Sequence, residues 1–156
     1  MKINWKVLII SLVVVYLVAF VGSLFTSGNT SGDWYESIRP SITPPNWVFP
    51  VVWNILFFLI GLSLYFAWVG SKKSDKGKVA VVFSLNFVLN ILWSVLYFGL
   101  KRVDLAFVEI IFLWFSILSM VIVCWKIDKR AGWLLIPYLL WVGFAGILNY
   151  LSILKI

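Results

Sequence analysis

Five uninterrupted apolar runs dominate this 156-residue chain: Trp5 to Phe25, Trp47 to Val69, Val79 to Leu100, Leu105 to Trp125 and Gly132 to Ile153. A helix needs roughly 20 apolar residues to cross a bilayer core, and each run is long enough to span with some tilt. Lipid offers no hydrogen-bond partners to a peptide backbone, so only helices and closed barrels can span it. These runs are too long and too continuously apolar for barrel strands. The sequence therefore predicts an all-α integral membrane protein, a five-transmembrane-helix bundle forming one domain over residues 1–156. Composition agrees, with 63% of residues hydrophobic and 19% aromatic and a mean hydropathy of +1.03.

The separators "TSGNTSGDWYESIRPSITPPN", "GSKKSDKGK", "KRVD" and "KIDKRA" are polar and mostly short. Helices joined by such turns should run antiparallel beside their sequence neighbours. Lys2, Lys6, Lys72, Lys73, Lys76, Lys78, Lys126, Lys129 and Arg130 fall on one side of such a bundle, against Arg39, Lys101, Arg102 and Lys155 on the other. That bias predicts a cytoplasmic N-terminus, with the long first loop and the C-terminus outside, in the cell membrane. Topology and anionic headgroups account for the net charge of +7, and no nucleic-acid motif is present. The N-terminal run also resembles a signal peptide with a small-residue cleavage site, but its apolar stretch is longer than a typical signal core.

The chain has no histidine and one cysteine, Cys124. Histidine acid–base chemistry, Ser-His triads, zinc sites and His-ligated haem are excluded, and no metal site or internal disulfide is expected. Cys124 reads as a small apolar side chain near the end of the fourth span. Most carboxylates fall in loops or at helix ends. Glu109 lies inside the fourth span, where an ionisable group is costly and is a functional candidate by default. Its nearness to the interface favours solvation or pairing with Lys101 or Arg102 over a proton-relay role.

"TPPNWVFPVVWN" (43–54) opens the second span. Pro44 and Pro45 keep the incoming chain extended, Asn46 is placed to cap the helix, and Pro50 falls in the first turn, where a missing N–H costs least. Trp47 suits the headgroup level. Phe49, Trp53 and Phe57 form an aromatic stripe at four-residue spacing. The third span places Asn86, Asn90, Trp93 and Tyr97 on one face. The fifth places Pro137, Trp141, Ala145 and Leu148 together with Asn149 beside them, and Pro137 releases the carbonyl of Trp133, which would kink the helix and widen a pocket. Intramembrane amides face the bundle interior, and flat side chains with a few amides suit a mostly apolar pocket for a flat ligand.

In "WYESIRPSITPPNWVFPVVWNILF", "LNILWSVLYFG" and "PYLLWVGFAGILNYL", in this order and spacing, the chain resembles the TspO/MBR family of translocator proteins, or peripheral benzodiazepine receptors, over nearly its whole length. The resemblance implies a five-helix fold that often forms homodimers in membrane lipid. It also implies binding of tetrapyrroles such as protoporphyrin IX, and of synthetic isoquinoline carboxamide and benzodiazepine ligands, with cholesterol in animal members. Carried over by motif, the ligand-binding residues are Trp34, Pro44, Phe49, Trp53, Phe57, Asn90, Trp93, Trp141 and Ala145. Some bacterial members are credited with light-driven destruction of bound protoporphyrin, with the tryptophans at Trp53 and Trp141 in the catalytic role; the porphyrin is then substrate, and no other cofactor is implied.

The chain departs from the family pattern at Pro50, Asn54, Phe58 and Asn86, which bears on ligand preference more than on fold. Leu148, Tyr150 and Lys155 fit a loose cholesterol pattern that an ordinary helix end satisfies equally. The expected binding mode stacks a planar tetrapyrrole on Trp53, Trp93 and Trp141, orients it with Asn90, and covers it with Trp34, Tyr35 and Arg39 of the first loop, Arg39 reaching a propionate. A transporter of porphyrins or other small hydrophobic molecules is the competing reading, though the chain has no inverted repeat and no pair of broken helices.

Overall fold

The computed structural model describes residues 3–156; Lys2, counted above for orientation, lies outside them. Five helices are long and apolar enough to cross a membrane: α1 (Trp5–Thr26), α3 (Val48–Gly70), α4 (Lys76–Gly99), α5 (Val103–Ile127) and α6 (Lys129–Ile153). A sixth, short helix, α2 (Asp33–Ile38), lies in the first loop. The sequence reading did not anticipate α2, although Asp33 and Glu36 in its first turn are the acidic residues a helix N-terminus favours.

The spanning helices overrun several apolar runs by two or three residues because polar groups finish their ends. Asn4 Oδ1 accepts the Val7 N–H at the start of α1. Asp128 alone separates α5 from α6, and its carboxylate accepts the backbone N–H of Arg130 and pairs with the Arg130 guanidinium. That hydrogen bonding holds the Asp128 carboxyl below its ordinary value. The expected cap at α3 is different. Asn46 donates to the Thr30 carbonyl instead, because Trp47 occupies the position before the helix and carries no side-chain cap bond. Pro50 does lie in the first turn of α3, and the amide of Asn54 donates back to its carbonyl at 2.9 Å.

The helices close a ring in the order α1, α3, α6, α5, α4. The antiparallel-neighbour expectation holds for α4 with α5 and for α5 with α6. It fails along α3 and α4, which are joined by residues 71–75 but touch little thereafter, α3 packing on α1 and α6 while α4 packs on α1 and α5. Trp53 and Phe57 on α3 and Trp93 and Tyr97 on α4 border the space left between the two helices. The core runs through Val15, Ile60, Phe83, Ile117, Met120, Leu135 and Tyr138. Apolar residues such as Ile9, Leu17, Phe112, Phe115 and Leu140 are exposed on the outer surface, as lipid contact requires.

Two glycines do work no other residue would do as well. Gly28 turns the chain after α1 at φ 85°, in the left-handed region. Gly132 lies under the indole of Trp125, where an added Cβ would come within 2.7 Å of the ring. Trp125 is itself held against Trp133, with centroids 4.7 Å apart. Gly132→Val should therefore destabilise the α5–α6 hairpin by about 1–3 kcal/mol. A thermal melt in detergent checks this, with Gly77→Ala, where an added Cβ meets nothing within 4 Å, expected to melt no lower than wild type.

Candidate functional site

A cavity of about 560 Å³ opens where α3 and α4 diverge, at the end of the bundle that carries the first loop and the C-terminus. All five spanning helices contribute to its wall. Its volume falls within the roughly 300–1,000 Å³ range of small-molecule sites. Phe49, Trp53 and Phe57 line it from α3, Asn90, Trp93 and Tyr97 from α4, and Trp141 and Ala145 from α6. The Phe49 and Trp141 rings meet edge to face at 5.9 Å, Trp53 leans on Phe57 at 5.3 Å, and Trp93 stacks on Tyr97 at 5.0 Å. The last turn of α4, Val95–Gly99, is π-helical, a widening that is frequent at functional sites and that carries Tyr97 and Phe98 to the cavity wall.

A seam of side-chain hydrogen bonds holds the polar face of α4 in register. Asn86 donates to Ser116 at 2.9 Å and accepts from the Tyr138 hydroxyl, which in turn accepts from Asn90 at 3.0 Å. One turn on, the Trp93 indole donates to Asn149 at 3.1 Å, and the Asn149 amide donates to the Val103 carbonyl. Tyr97 and Ser152 close the series at 3.0 Å. The amides that the sequence placed toward the interior therefore bind helix to helix, and only Asn90 and Asn149 among the named amides of this seam also face the cavity.

Two residues carried over by motif stand behind the cavity wall. Trp34 packs edge-on against Tyr97 at 6.0 Å under the Lys101 ammonium, and its neighbour Tyr35 takes the place in the lining. Burial raises the Tyr35 phenol above its ordinary value despite the opposing pull of Arg39. Pro44 contributes its carbonyl, which accepts from the Arg39 guanidinium at 2.8 Å. Arg39 also pairs with Glu36 at 3.2 Å, so it is directed into the loop and is absent from the lining. Among the described residues, no charged side chain lines the cavity.

Other expectations change. Pro137 faces a shallow apolar groove between α3 and α6 and does not line the main cavity. Glu109 is 6% exposed and neither carboxyl oxygen has a hydrogen-bond partner. The expected pairing fails because Arg102 forks onto Asp104, two residues away, while Lys101 lies over Trp34. Leu148 lines the cavity, whereas Tyr150 is exposed against Phe107 and Lys155 binds the Arg39 carbonyl; the three do not form one surface. The contribution of α1, through Tyr16, Ala19 and Ser23, went unnoticed, although these small and polar residues recur on one helix face. Thr43 in the lining and Tyr138 in the seam behind it carry no periodic signal in the sequence.

A profile of the TspO/MBR family matches residues 10–154. The chain belongs to the TspO/MBR family. Its relatives include the tryptophan-rich protein TspO of Archaeoglobus fulgidus, 38% identical over 92% of both chains. CrtK of Rhodobacter capsulatus is 31% identical over 90% of both chains. The translocator protein of Bos taurus is 30% identical over 84% of this chain and 79% of the relative. Membership and the five apolar helices make this a multi-pass integral membrane protein, and Trp53, Trp93 and Trp141 are the three of its ten tryptophans that line the cavity.

The seam and the lone carboxyl should respond oppositely to substitution. Asn149→Leu strips a partner from both Trp93 and Val103 and should cost about 1–2 kcal/mol, two membrane hydrogen bonds averaging about 0.6 kcal/mol each plus lost packing. Glu109→Leu removes a buried polar group that has no partner and should leave stability unchanged or raise it. Melting temperatures in one detergent compare the two.

Proposed function

We propose that this protein binds a planar, largely apolar ligand, with a tetrapyrrole such as protoporphyrin IX as the best-fitting class and isoquinoline carboxamide or benzodiazepine-type ligands as alternatives in the same cavity. The observation that carries the reading is the aromatic cavity at the parting of α3 and α4, whose wall includes Trp53, Trp93 and Trp141. Flat rings stacked on such side chains gain about 0.5–1.5 kcal/mol per favourable aromatic pair beyond burial. Membership in a family that includes translocator proteins supports a small-molecule role. A transport step would need a second state, and no specific feature favours one over binding.

A photo-oxidative activity is the second reading, favoured by one observation: both Trp53 and Trp141 border the cavity from facing helices. In it the porphyrin absorbs the light, dioxygen is the oxidant, and the protein supplies geometry. The two indoles would hold the ring and steer where oxidation falls.

An absorbance time course of protoporphyrin IX with purified protein, in light and in the dark under oxygen, tests both readings. Binding should shift the spectrum and persist in the dark, and Trp53→Phe or Trp141→Phe should raise Kd roughly two- to tenfold. A new product that forms only in light, only with wild type and not with either variant is the expected result of the photo-oxidative reading. An unshifted spectrum overturns the porphyrin assignment.

A further inference from the structure

Two adjoining faces of α1 meet at the cavity end of the bundle. Tyr16, Ala19 and Ser23 recur on one face and line the cavity. Val13, Leu17, Phe20 and Leu24 recur on the next and form an exposed stripe. Phe20 belongs to both: it is 62% exposed, like Leu17 at 58% and Leu24 at 59%, and it also lines the cavity. The pattern repeats on α3. Its exposed stripe runs through Val51 and Phe58, and Asn54, exposed on the same face, lines the cavity together with Pro50. The cavity wall and the lipid-facing surface therefore share residues along the seam between α1 and α3, and the cavity reaches the lipid surface there. Pro50 and Asn54 are also two of the positions at which this chain departs from its family pattern.

Little holds that seam. Among the described residues, two hydrogen bonds join α1 and its cap to α3. The Asn4 N–H donates to the Tyr65 hydroxyl at 3.2 Å, at the end far from the cavity. In the cavity half the Tyr16 hydroxyl donates to the Asn54 carbonyl at 3.4 Å, a long and therefore weak bond. Close packing of the two helices also lies toward the far end, at Gly61, where an added Cβ would come within 2.6 Å of the Leu12 side chain. The end facing water is tied more firmly. Arg39 is held by Glu36 and the Pro44 carbonyl, Lys155 holds the Arg39 carbonyl, and Asn46 donates to the Thr30 carbonyl. Of the two barriers, the lipid-side one is the weaker. The same apolar transfer that favours an uncharged flat molecule in this cavity also concentrates it in the bilayer.

We propose that the seam between α1 and α3 is a lipid-side entrance to the cavity, latched by the Tyr16 hydroxyl on the Asn54 carbonyl, which admits uncharged flat molecules already dissolved in the bilayer. The proposal deepens the ligand-binding reading and rests on it for the identity of the guest.

The test separates the route from the site. Purified full-length protein in detergent is loaded with protoporphyrin IX. The dissociation rate is read as recovery of tryptophan fluorescence on mixing with excess empty micelles, and equilibrium titration then gives the association rate. Tyr16→Phe and Phe20→Ala should each raise both rates threefold or more, so that Kd moves less than either. Arg39→Gln, which unties the loop, should leave both rates within twofold of wild type. A second arm uses no porphyrin. An uncharged aryl diazirine dissolved in liposomes that hold the protein is photolysed and its adducts are mapped. It should mark Trp53 and Trp93 in the cavity wall, more heavily in Tyr16→Phe than in wild type, and leave the core residue Phe83, 2% exposed, unmarked. Rates that follow Arg39→Gln and ignore Tyr16→Phe overturn the entrance, as does labelling of Trp53 and Trp93 that Tyr16→Phe leaves unchanged. If porphyrin binds but neither arm responds to Tyr16→Phe, the tetrapyrrole reading stands and the entrance falls. If no porphyrin binds while the diazirine marks the cavity as expected, the entrance stands and the tetrapyrrole reading falls; if neither probe reaches the cavity, both fall.

Discussion

A lipid core offers polar groups nothing to bond with, and that shortage organises the whole molecule. Backbone groups are satisfied within helices, and the side-chain amides and hydroxyls must be satisfied between them. The seam from Asn86 through Tyr138 to Asn90, and on through Trp93, Asn149, Tyr97 and Ser152, is the result. It fixes how α4 lies against α5 and α6, and through them how far α4 stands from α3. The cavity is the space this register leaves. On the α4 side of its aromatic wall, Trp93 and Tyr97 are held by Asn149 and Ser152 behind them.

The site therefore combines two properties that seldom coincide in water-soluble proteins: a large flat apolar surface and a nearly complete absence of charge. Cations are present near its mouth, yet each is engaged by the loop itself. Arg39 ties Glu36 to the Pro44 carbonyl, and Lys155 ties the C-terminus back to the same loop. These contacts make the first loop a cover held by its own ionic and carbonyl bonds. Recognition is left to ring faces and a small number of neutral donors.

Much of this was legible in the sequence. The length of the apolar runs gave five spans to within a few residues, since helix length in a bilayer is set by thickness more than by tertiary detail. The stripe Phe49, Trp53, Phe57 and the face Asn90, Trp93, Tyr97 could be read from helical spacing alone, and they do meet around one cavity. What could not be read were properties that depend on which helices touch. The parting of α3 and α4 contradicts the short loop between them. The inward or outward aim of Pro137, the isolation of Glu109 and the turning of Arg39 into its own loop all depend on neighbours far away in sequence. Loop geometry was the least legible: α2, the placement of Tyr35 in the lining ahead of Trp34, and the presence of Thr43 in that lining follow from a folded cover that no periodicity announces.

The parting of α3 and α4 has a mechanical side. The two helices are tied at residues 71–75 and spread at the opposite end, like the arms of a pair of tongs, and α1 is packed against both arms. On that side the cavity is closed by α1 alone, through Tyr16, Ala19 and Ser23, while Ile9 and Leu17 on the same helix are exposed on the outer surface. One layer of helix is all that separates the cavity from the surrounding lipid.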